Sequence, residues 1–221
     1  MNPLALEPSG EFRLRLLVID TATQALSVAL LENDAVIGHF HEIVGRGHAE
    51  ALLPAIAALP DGGRADAIAV DVGPGSFTGV RIGIAAARAL ALAWNIPLHG
   101  FSAPSLIAAM AAHDHRDGPI IVTITGGHGE LFWQSFDASG TVADGTVTST
   151  PIETLAQTLD TEIFYGTGAE ALVTARGHGR AVNIYPDAAA YPLIATMASL
   201  PPSPIYGRGA DAKTMEERAA S

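Results

Sequence analysis

The segment from Ala67 to Trp94, AIAVDVGPGSFTGVRIGIAAARALALAW, constrains the fold of this chain more than any other. An apolar run ends at Asp71, a glycine-rich turn follows, and a long apolar stretch begins near Val80. The short apolar run bounded by glycine is typical of a buried strand, and the stretch after the turn is typical of a helix. The segment therefore predicts a strand–turn–helix unit of an α/β fold.

The turn GPGSFTG has the chemistry of a phosphate site without matching a known phosphate motif. Its glycines at 73, 75 and 79 fit neither G-x-G-x-x-G nor the P-loop pattern, and the turn contains no lysine. Ser76 or Thr78 could cap the helix that follows, while free backbone N–H groups at the helix start could bind an anion. The residues alone leave open both a phosphate-binding turn and a purely structural one.

The helix predicted over about 80–94 is apolar around nearly its whole circumference, interrupted only by Arg81 and Arg88. A helix of this kind must be buried on more than one side. One side would face the sheet, and the other needs a second helix or another protein. A subunit interface on this helix is thus one of two open interpretations.

The rest of the first half predicts further elements of the same unit. Leu14–Asp20 has the continuous apolar pattern of a buried strand, Asn33-Asp34 is a two-residue hairpin signal, and 47–59 has helical spacing. Strands and helices restart after a polar loop near residue 118. We expect two lobes, over 1–100 and 101–221, the second ending in an exposed tail.

Composition narrows the possible functions. Twelve basic residues against 23 acidic ones give a net charge of −11, which disfavours independent binding of nucleic acid. The absence of cysteine excludes a disulfide framework and a cysteine zinc site. The N-terminal sequence lacks the features of a signal peptide and no uninterrupted spanning segment is evident, so we expect a cytoplasmic protein that does not contact a membrane.

Candidate ligands for metals are few. Asp20, Thr21 and Thr23 follow the first strand, where hard oxygen ligands could hold a hydrated magnesium ion and a phosphate, or could simply cap the turn. His39 and His41 share one face of a predicted strand but lack an evident third ligand, and the H-E-x-x-H motif is absent. No metal site is predicted.

Four stretches together resemble the TsaB (YeaZ-like) family, the accessory subunits of tRNA threonylcarbamoyladenosine synthesis. They are LLVIDTAT, GHAEALLPAI, AVDVGPGSFTGVRIGIAAARALA and PIYGRGADAK, and GPGSFTGVRIG is the most specific of the family's motifs. The match covers most of the first hundred residues and is looser beyond them. The resemblance implies an α/β protein with two ribonuclease-H-like lobes of the actin/Hsp70/sugar-kinase (ASKHA) fold, each a mixed sheet flanked by helices.

The resemblance also implies where a vestigial nucleotide or metal site would lie. Asp20, Thr21 and Thr23 match the phosphate and metal loop of active relatives, and Gly166 and Gly168 match their adenosine loop. The second lobe departs from the family pattern D-A-R-x-G-E. It reads TGGHGE, with Thr125 and Gly127 in place of the aspartate and the arginine, which weakens the case for autonomous ATP hydrolysis.

The resemblance implies a partner subunit without catalytic residues of its own. It would bind a TsaD-like catalytic paralogue, with a TsaE-like ATPase joining the assembly, and would reach tRNA only through the complex. The chain itself would require no cofactor, although ATP and magnesium could bind in the complex, and it could also form a homodimer. The expected interface residues are Leu52, Ile56, Gly75, Phe77, Val80, Arg81, Ile84 and Arg88.

Two other functions lack the residues that they require. An autonomous ATP-dependent kinase or ATPase of the same fold would need a catalytic aspartate in the second lobe, and none is legible there. A peptidase would need a cysteine, a zinc motif or a nucleophile elbow, and the chain has none of these motifs.

Overall fold

The computed structural model describes residues 13–114, 118–141, 143–197 and 199–205. The extreme N-terminus and most of the predicted tail lie outside these residues. The elements of the first half are β1 (Arg15–Asp20), β2 (Ala25–Glu32), β3 (Ala35–Ile43), α1 (His48–Ala58), a 3-10 helix (Pro60–Gly63), β4 (Ala67–Asp71), α2 (Phe77–Trp94), β5 (Leu98–Phe101) and α3 (Ala103–Asp114).

The second half repeats the pattern of strands and helices. Its elements are β6 (Ile120–Thr125), β7 (Glu130–Phe136), β8 (Ala143–Pro151), α4 (Ile152–Thr158), β9 (Ile163–Tyr165), α5 (Ala169–Arg176), β10 (Arg180–Val182) and a C-terminal 3-10 helix (Ala188–Ile194).

Two five-stranded mixed sheets have the same strand order. The first runs β3-β2-β1-β4-β5 and the second β8-β7-β6-β9-β10. In each sheet the first three strands along the chain are antiparallel neighbours. The fourth strand pairs in parallel with the first, and the fifth pairs in parallel with the fourth. This duplicated topology confirms the predicted two-lobed ASKHA fold.

The hairpin between β2 and β3 follows from its two turn residues. Asn33 and Asp34 both have positive φ, 50° and 65°, as a type I′ turn requires. Asparagine and aspartate tolerate this conformation better than other residues with side chains. The turn confirms the predicted hairpin and sets β3 as the edge strand of the first sheet.

The two faces of the first sheet have different covers. α1 and α2 pack on one face, while α3 and the C-terminal 3-10 helix cover the residues of the opposite face, such as Val18 and Ala29. Backbone hydrogen bonds also join the described residues after this helix to the first sheet. Leu200 and Gly100 exchange backbone hydrogen bonds of 2.7 and 2.9 Å, and the N–H of Ile205 donates to the carbonyl of Val72. The division at residue 100 remains a prediction, but the 3-10 helix, Leu200 and Ile205 contact the first sheet and its loops.

α2 is the one helix among the described residues whose length of 18 residues and mean hydropathy of 1.3 would suit a membrane span. It nevertheless packs on β1 and β4, and its inner side contributes Val80, Ile84 and Ala87 to the core. Its apolar composition is therefore largely that of a core helix.

Candidate functional site

Two aspartates lie side by side at the carboxyl ends of β1 and β4. The parallel register places Ile19 opposite Val70, so that Asp20 and Asp71 follow as neighbours, and both are completely buried. Oδ1 of Asp20 accepts the N–H of Ala22 at 3.0 Å. Oδ1 of Asp71 accepts two N–H groups, from Gly73 at 2.6 Å and from Ala103 at 3.1 Å.

The pair is electrostatically unusual because no cation pairs with it among the described residues. Burial, reinforced by the charge of Asp71, raises the pKa of Asp20 well above its ordinary value. Burial also raises the pKa of Asp71 to about 6, opposed by the hydrogen bonds that this carboxylate accepts. Neither Oδ2 atom has a hydrogen-bond partner among the described residues. A proton shared between the two carboxyls would satisfy both oxygens.

The other candidate ligands of this loop are already engaged within the chain. The hydroxyl of Thr21 donates to the carbonyl of Gly79 at 2.7 Å, and the hydroxyl of Thr23 accepts the N–H of Ala25 at 3.2 Å. Both threonines are buried with Asp20. The first-strand loop is thus built as an internally bonded corner rather than as an open set of oxygen ligands.

The first-strand loop packs closely against the glycine turn. A Cβ atom at Gly75 or Gly79 would collide with the carbonyl oxygen of Ala22 or Thr21. The N–H of Ser76 donates to the Ala22 carbonyl at 2.7 Å, and the Ser76 hydroxyl caps α2 by accepting the N–H of Gly79 at 3.1 Å. Of the two open interpretations, the geometry favours the structural turn. Gly75 is half-buried and packs against the first-strand loop, and its predicted contact with a partner stays a prediction.

The second glycine loop closes against the end of β6. Gly166 has a φ of 98°, and the N–H of Gly168 donates to the carbonyl of Thr123 at 3.0 Å. Thr125, which stands where the family pattern has aspartate, binds Thr167 twice: its N–H meets that hydroxyl at 3.2 Å and its hydroxyl donates to that carbonyl at 3.0 Å. A neutral hydroxyl there offers neither a metal-binding carboxylate nor a general base.

Four residues of the expected partner interface face the core of the protomer instead. Leu52, Ile56, Val80 and Ile84 are between 1% and 4% exposed, so the prediction that they contact a partner is corrected. The reason lies in the helix register. The buried residues of α2 recur at 80, 84, 87 and 91, and this side packs on the sheet.

The remaining expected contacts are exposed but have partners within the chain. Phe77 is 69% exposed, and the guanidinium carbon of Arg81 lies 3.3 Å from the centroid of its ring. The same arginine donates to the Phe77 carbonyl at 2.7 Å, which fixes the start of α2. Arg88 donates to the carbonyl of Pro202 at 2.7 Å and so fastens the C-terminal segment to α2.

Two large exposed apolar residues on α1 and α2 were not among the predicted interface residues. Leu53 on α1 is 54% exposed and Leu92 on α2 is 85% exposed. Once 80, 84, 87 and 91 are assigned to the inner side, helical spacing places 85, 89 and 92 opposite them, so the signal was present in the sequence. We call a set of exposed apolar residues of α1 and α2 the outer face; they are Leu53, Phe77, Ala85, Ala89 and Leu92.

Comparison with known proteins agrees with this architecture. The family model described as TsaD, tRNA N6-adenosine threonylcarbamoyltransferase, matches residues 33–184. The chain is similar to the tRNA threonylcarbamoyladenosine biosynthesis protein TsaB of Escherichia coli, with 38% identity over 128 residues that cover 56% of this chain and 55% of that protein. The TsaB protein of Bacillus subtilis is 37% identical over 103 residues, covering 44% and 45%.

These sequence matches span about half the length of the curated relatives. The structural match extends further. The crystal structure of a Pseudomonas aeruginosa protein, described as similar to the peptidase YeaZ, superimposes with a TM-score of 0.73 and 28% identity, covering 88% of this chain and all of that one. The family model covers more than half of the chain, and TsaB and YeaZ proteins are its relatives. The chain therefore belongs to the threonylcarbamoyltransferase family and, within it, to the TsaB (YeaZ-like) family.

Proposed function

We propose that this chain is a non-catalytic subunit in the biosynthesis of tRNA N6-threonylcarbamoyladenosine, where it binds and supports a TsaD-like catalytic paralogue. The names of its relatives support the pathway. The single observation that carries the subunit role is the outer face, where Leu53, Phe77 and Leu92 each leave more than half of a large apolar side chain in water. Exposed apolar surface of this kind marks interaction sites.

The character of the outer face suits a protein partner. Ala85 and Ala89 are exposed and lie between Phe77 and Leu92 along α2, and their short side chains would let another backbone approach the helix closely. The guanidinium of Arg81 on the Phe77 ring supplies a polar margin. Apolar centres with aromatic and arginine residues are characteristic of protein–protein interfaces.

The closed first-strand loop supports the non-catalytic part of the proposal. A kinase or ATPase of this fold needs an ionised, accessible carboxylate, whereas Asp20 is buried against Asp71 with its pKa raised. We propose that any ATP and magnesium act elsewhere in the complex, which would include a TsaE-like ATPase. The net charge of −11 fits a subunit that meets tRNA only through its partners. Cytoplasmic localisation remains a prediction.

The proposal is tested by depleting the chain in its native cell and measuring tRNA nucleosides by mass spectrometry. Threonylcarbamoyladenosine should fall and should recover when the chain is supplied again. An unchanged level after depletion would remove the chain from this pathway.

The runner-up function, an autonomous ATPase or kinase, is separated by a second measurement. The purified chain alone should hydrolyse ATP far below the ordinary enzyme range, which begins at about 1 s⁻¹. Turnover within that range, lost in Asp20→Asn, would favour the ATPase instead.

A further inference from the structure

Three metal-binding side chains that are far apart in the sequence meet at the edge of the first sheet. They are His39 and His41 on β3 and Asp187, which precedes the C-terminal 3-10 helix, and their ligand atoms all lie within 4.8 Å of one another. Nε2 of His39 is 2.8 Å from Oδ1 of Asp187, and the two imidazole rings are stacked with their centroids 6.2 Å apart. No third ligand lies near the two histidines in the sequence, but folding brings Asp187 next to them.

The fold holds these three residues in place. His39 and His41 are two positions apart on a strand, so both point to the same face, opposite Ala29 and Ser27 of β2. Asp187 is fixed from two sides, because its Oδ1 accepts the N–H of Ala189 at 2.9 Å and the hydroxyl of Ser27 at 3.3 Å. Such neighbours orient a carboxylate as the supporting hydrogen bonds of metal sites do.

The cluster contains one unsatisfied ring nitrogen. Nδ1 of His41 is buried and has no hydrogen-bond partner within the described part of the chain. Leaving a buried polar atom unsatisfied is costly, and native proteins rarely do so without a reason. A metal ion bound to this nitrogen would satisfy it.

We propose that His39, His41 and Asp187 bind one divalent transition-metal ion of the zinc class. Two imidazoles and a carboxylate are ligands that zinc accepts, with water completing a tetrahedral site, whereas calcium and magnesium prefer all-oxygen sets. In such a site neighbouring ligand atoms are about 3.3 Å apart, from metal–ligand distances of about 2.0–2.1 Å. Small side-chain rotations would therefore suffice, and the His39–Asp187 hydrogen bond would give way to two bonds to the metal.

The ion would connect two parts of the fold that only tertiary structure brings together. β3 is the edge strand of the first sheet, and Asp187 begins the segment that returns from the second lobe to cover that sheet. Binding would hold this segment onto the edge strand. Because a ligand that binds only the native state stabilises it, metal should raise the melting temperature. This proposal does not depend on the proposed function.

The test uses the full chain without a histidine tag and titrates it with Zn²⁺ by calorimetry and thermal unfolding. The wild type should bind one ion per chain, and a tenfold excess of Zn²⁺ over the dissociation constant should raise Tm by about 2 °C or more. His39→Gln should weaken binding at least about tenfold and abolish most of the Tm shift; it keeps a side-chain amide facing Asp187. Asp187→Asn should also weaken binding.

A matched control is available in His113→Gln. His113 also lies beside an aspartate, with Nδ1 2.9 Å from Oδ1 of Asp114, but this pair belongs to no group of three ligands among the described residues. The control should bind Zn²⁺ as the wild type does. Absence of stoichiometric binding by the wild type, or unchanged binding by His39→Gln, would overturn the proposal. So would an equal loss in His113→Gln, because it would reveal dispersed surface binding.

Discussion

At the scale of single residues, the buried Asp20–Asp71 pair is the feature that most clearly supports a non-catalytic role. Asp20 and Asp71 lie at the carboxyl ends of two neighbouring parallel strands. Both are completely buried and bind backbone N–H groups, and no cation pairs with them among the described residues. The pair thus acts as a structural corner that joins the first-strand loop to the glycine turn and to α3.

The pair makes stability depend on pH in an unusual direction. Because the pKa of both carboxyls is raised in the folded state, that of Asp71 to about 6, the native protein retains protons that the unfolded chain releases above about pH 4. Their contribution is therefore present at low pH and is lost as the pH rises through 6 and beyond. In Asp20→Asn the amide can donate to Asp71 without titrating, so this variant should be more stable than wild type at pH 8 by about 1 kcal/mol.

The measurement is urea unfolding at pH 5 and pH 8. The stability gap between wild type and Asp20→Asn should widen toward pH 8, while Asp34→Asn, in an exposed turn, should follow the wild type at both values. Parallel pH profiles for wild type and Asp20→Asn would show that the two carboxyls do not share a proton.

At the scale of elements, the glycines of GPGSFTGVRIG allow α2 to start against the first-strand loop. The same residue spacing gives α2 an inner side that packs on the sheet and an outer face that does not. The sequence predicted the helix and the hairpin from local patterns. It could not predict which side of α2 faces inward, because apolar residues lie on both sides, and it therefore assigned the buried Ile84 and Val80 to a partner.

Gly79 tests the close approach of α2 to the first-strand loop. In Gly79→Ala the added Cβ would collide with the carbonyl oxygen of Thr21, a backbone atom that cannot rotate away. The expected loss in the free energy of unfolding is about 2 kcal/mol, within the range for overpacked positions. Gly127→Ala is the control, since nothing lies within 4 Å of its Cβ position, and it should change stability by less than about 0.5 kcal/mol. Equal stability of the two variants in denaturant unfolding would contradict the packing account.

The outer face makes a separate prediction about binding. Leu92→Glu and Leu53→Glu should each weaken the complex with a TsaD-like partner at least about tenfold, because they place a charge at an apolar contact while leaving the core intact. Ile43→Glu is the matched control; Ile43 is 55% exposed but lies on β3 rather than on α1 or α2. Calorimetric or surface-based affinities measure the difference. If all three variants bind as the wild type does, the partner occupies another surface.

At the scale of the whole molecule, the chain is a duplicated fold in which the second lobe returns to the first. The sequence resemblance predicted the two lobes, and the strand orders confirm them. Contacts made by the returning segment could not be predicted, because they join residues 114 to 160 positions apart with no local pattern. Asp187 beside His39 and Ser27, and Arg88 beside Pro202, are such contacts. Such contacts depend on the path of the folded chain, and the periodicity of a single sequence carries no information about that path.

The central claim is that this chain acts through its outer face and not through a catalytic site. Its most direct test is complementation of cells depleted of the chain, with tRNA threonylcarbamoyladenosine measured by mass spectrometry. The account predicts that wild type and Asp20→Asn restore the modification, whereas a Leu53→Glu, Leu92→Glu double variant that is folded and equally abundant does not. Full restoration by the double variant, or failure of a folded Asp20→Asn, would contradict it.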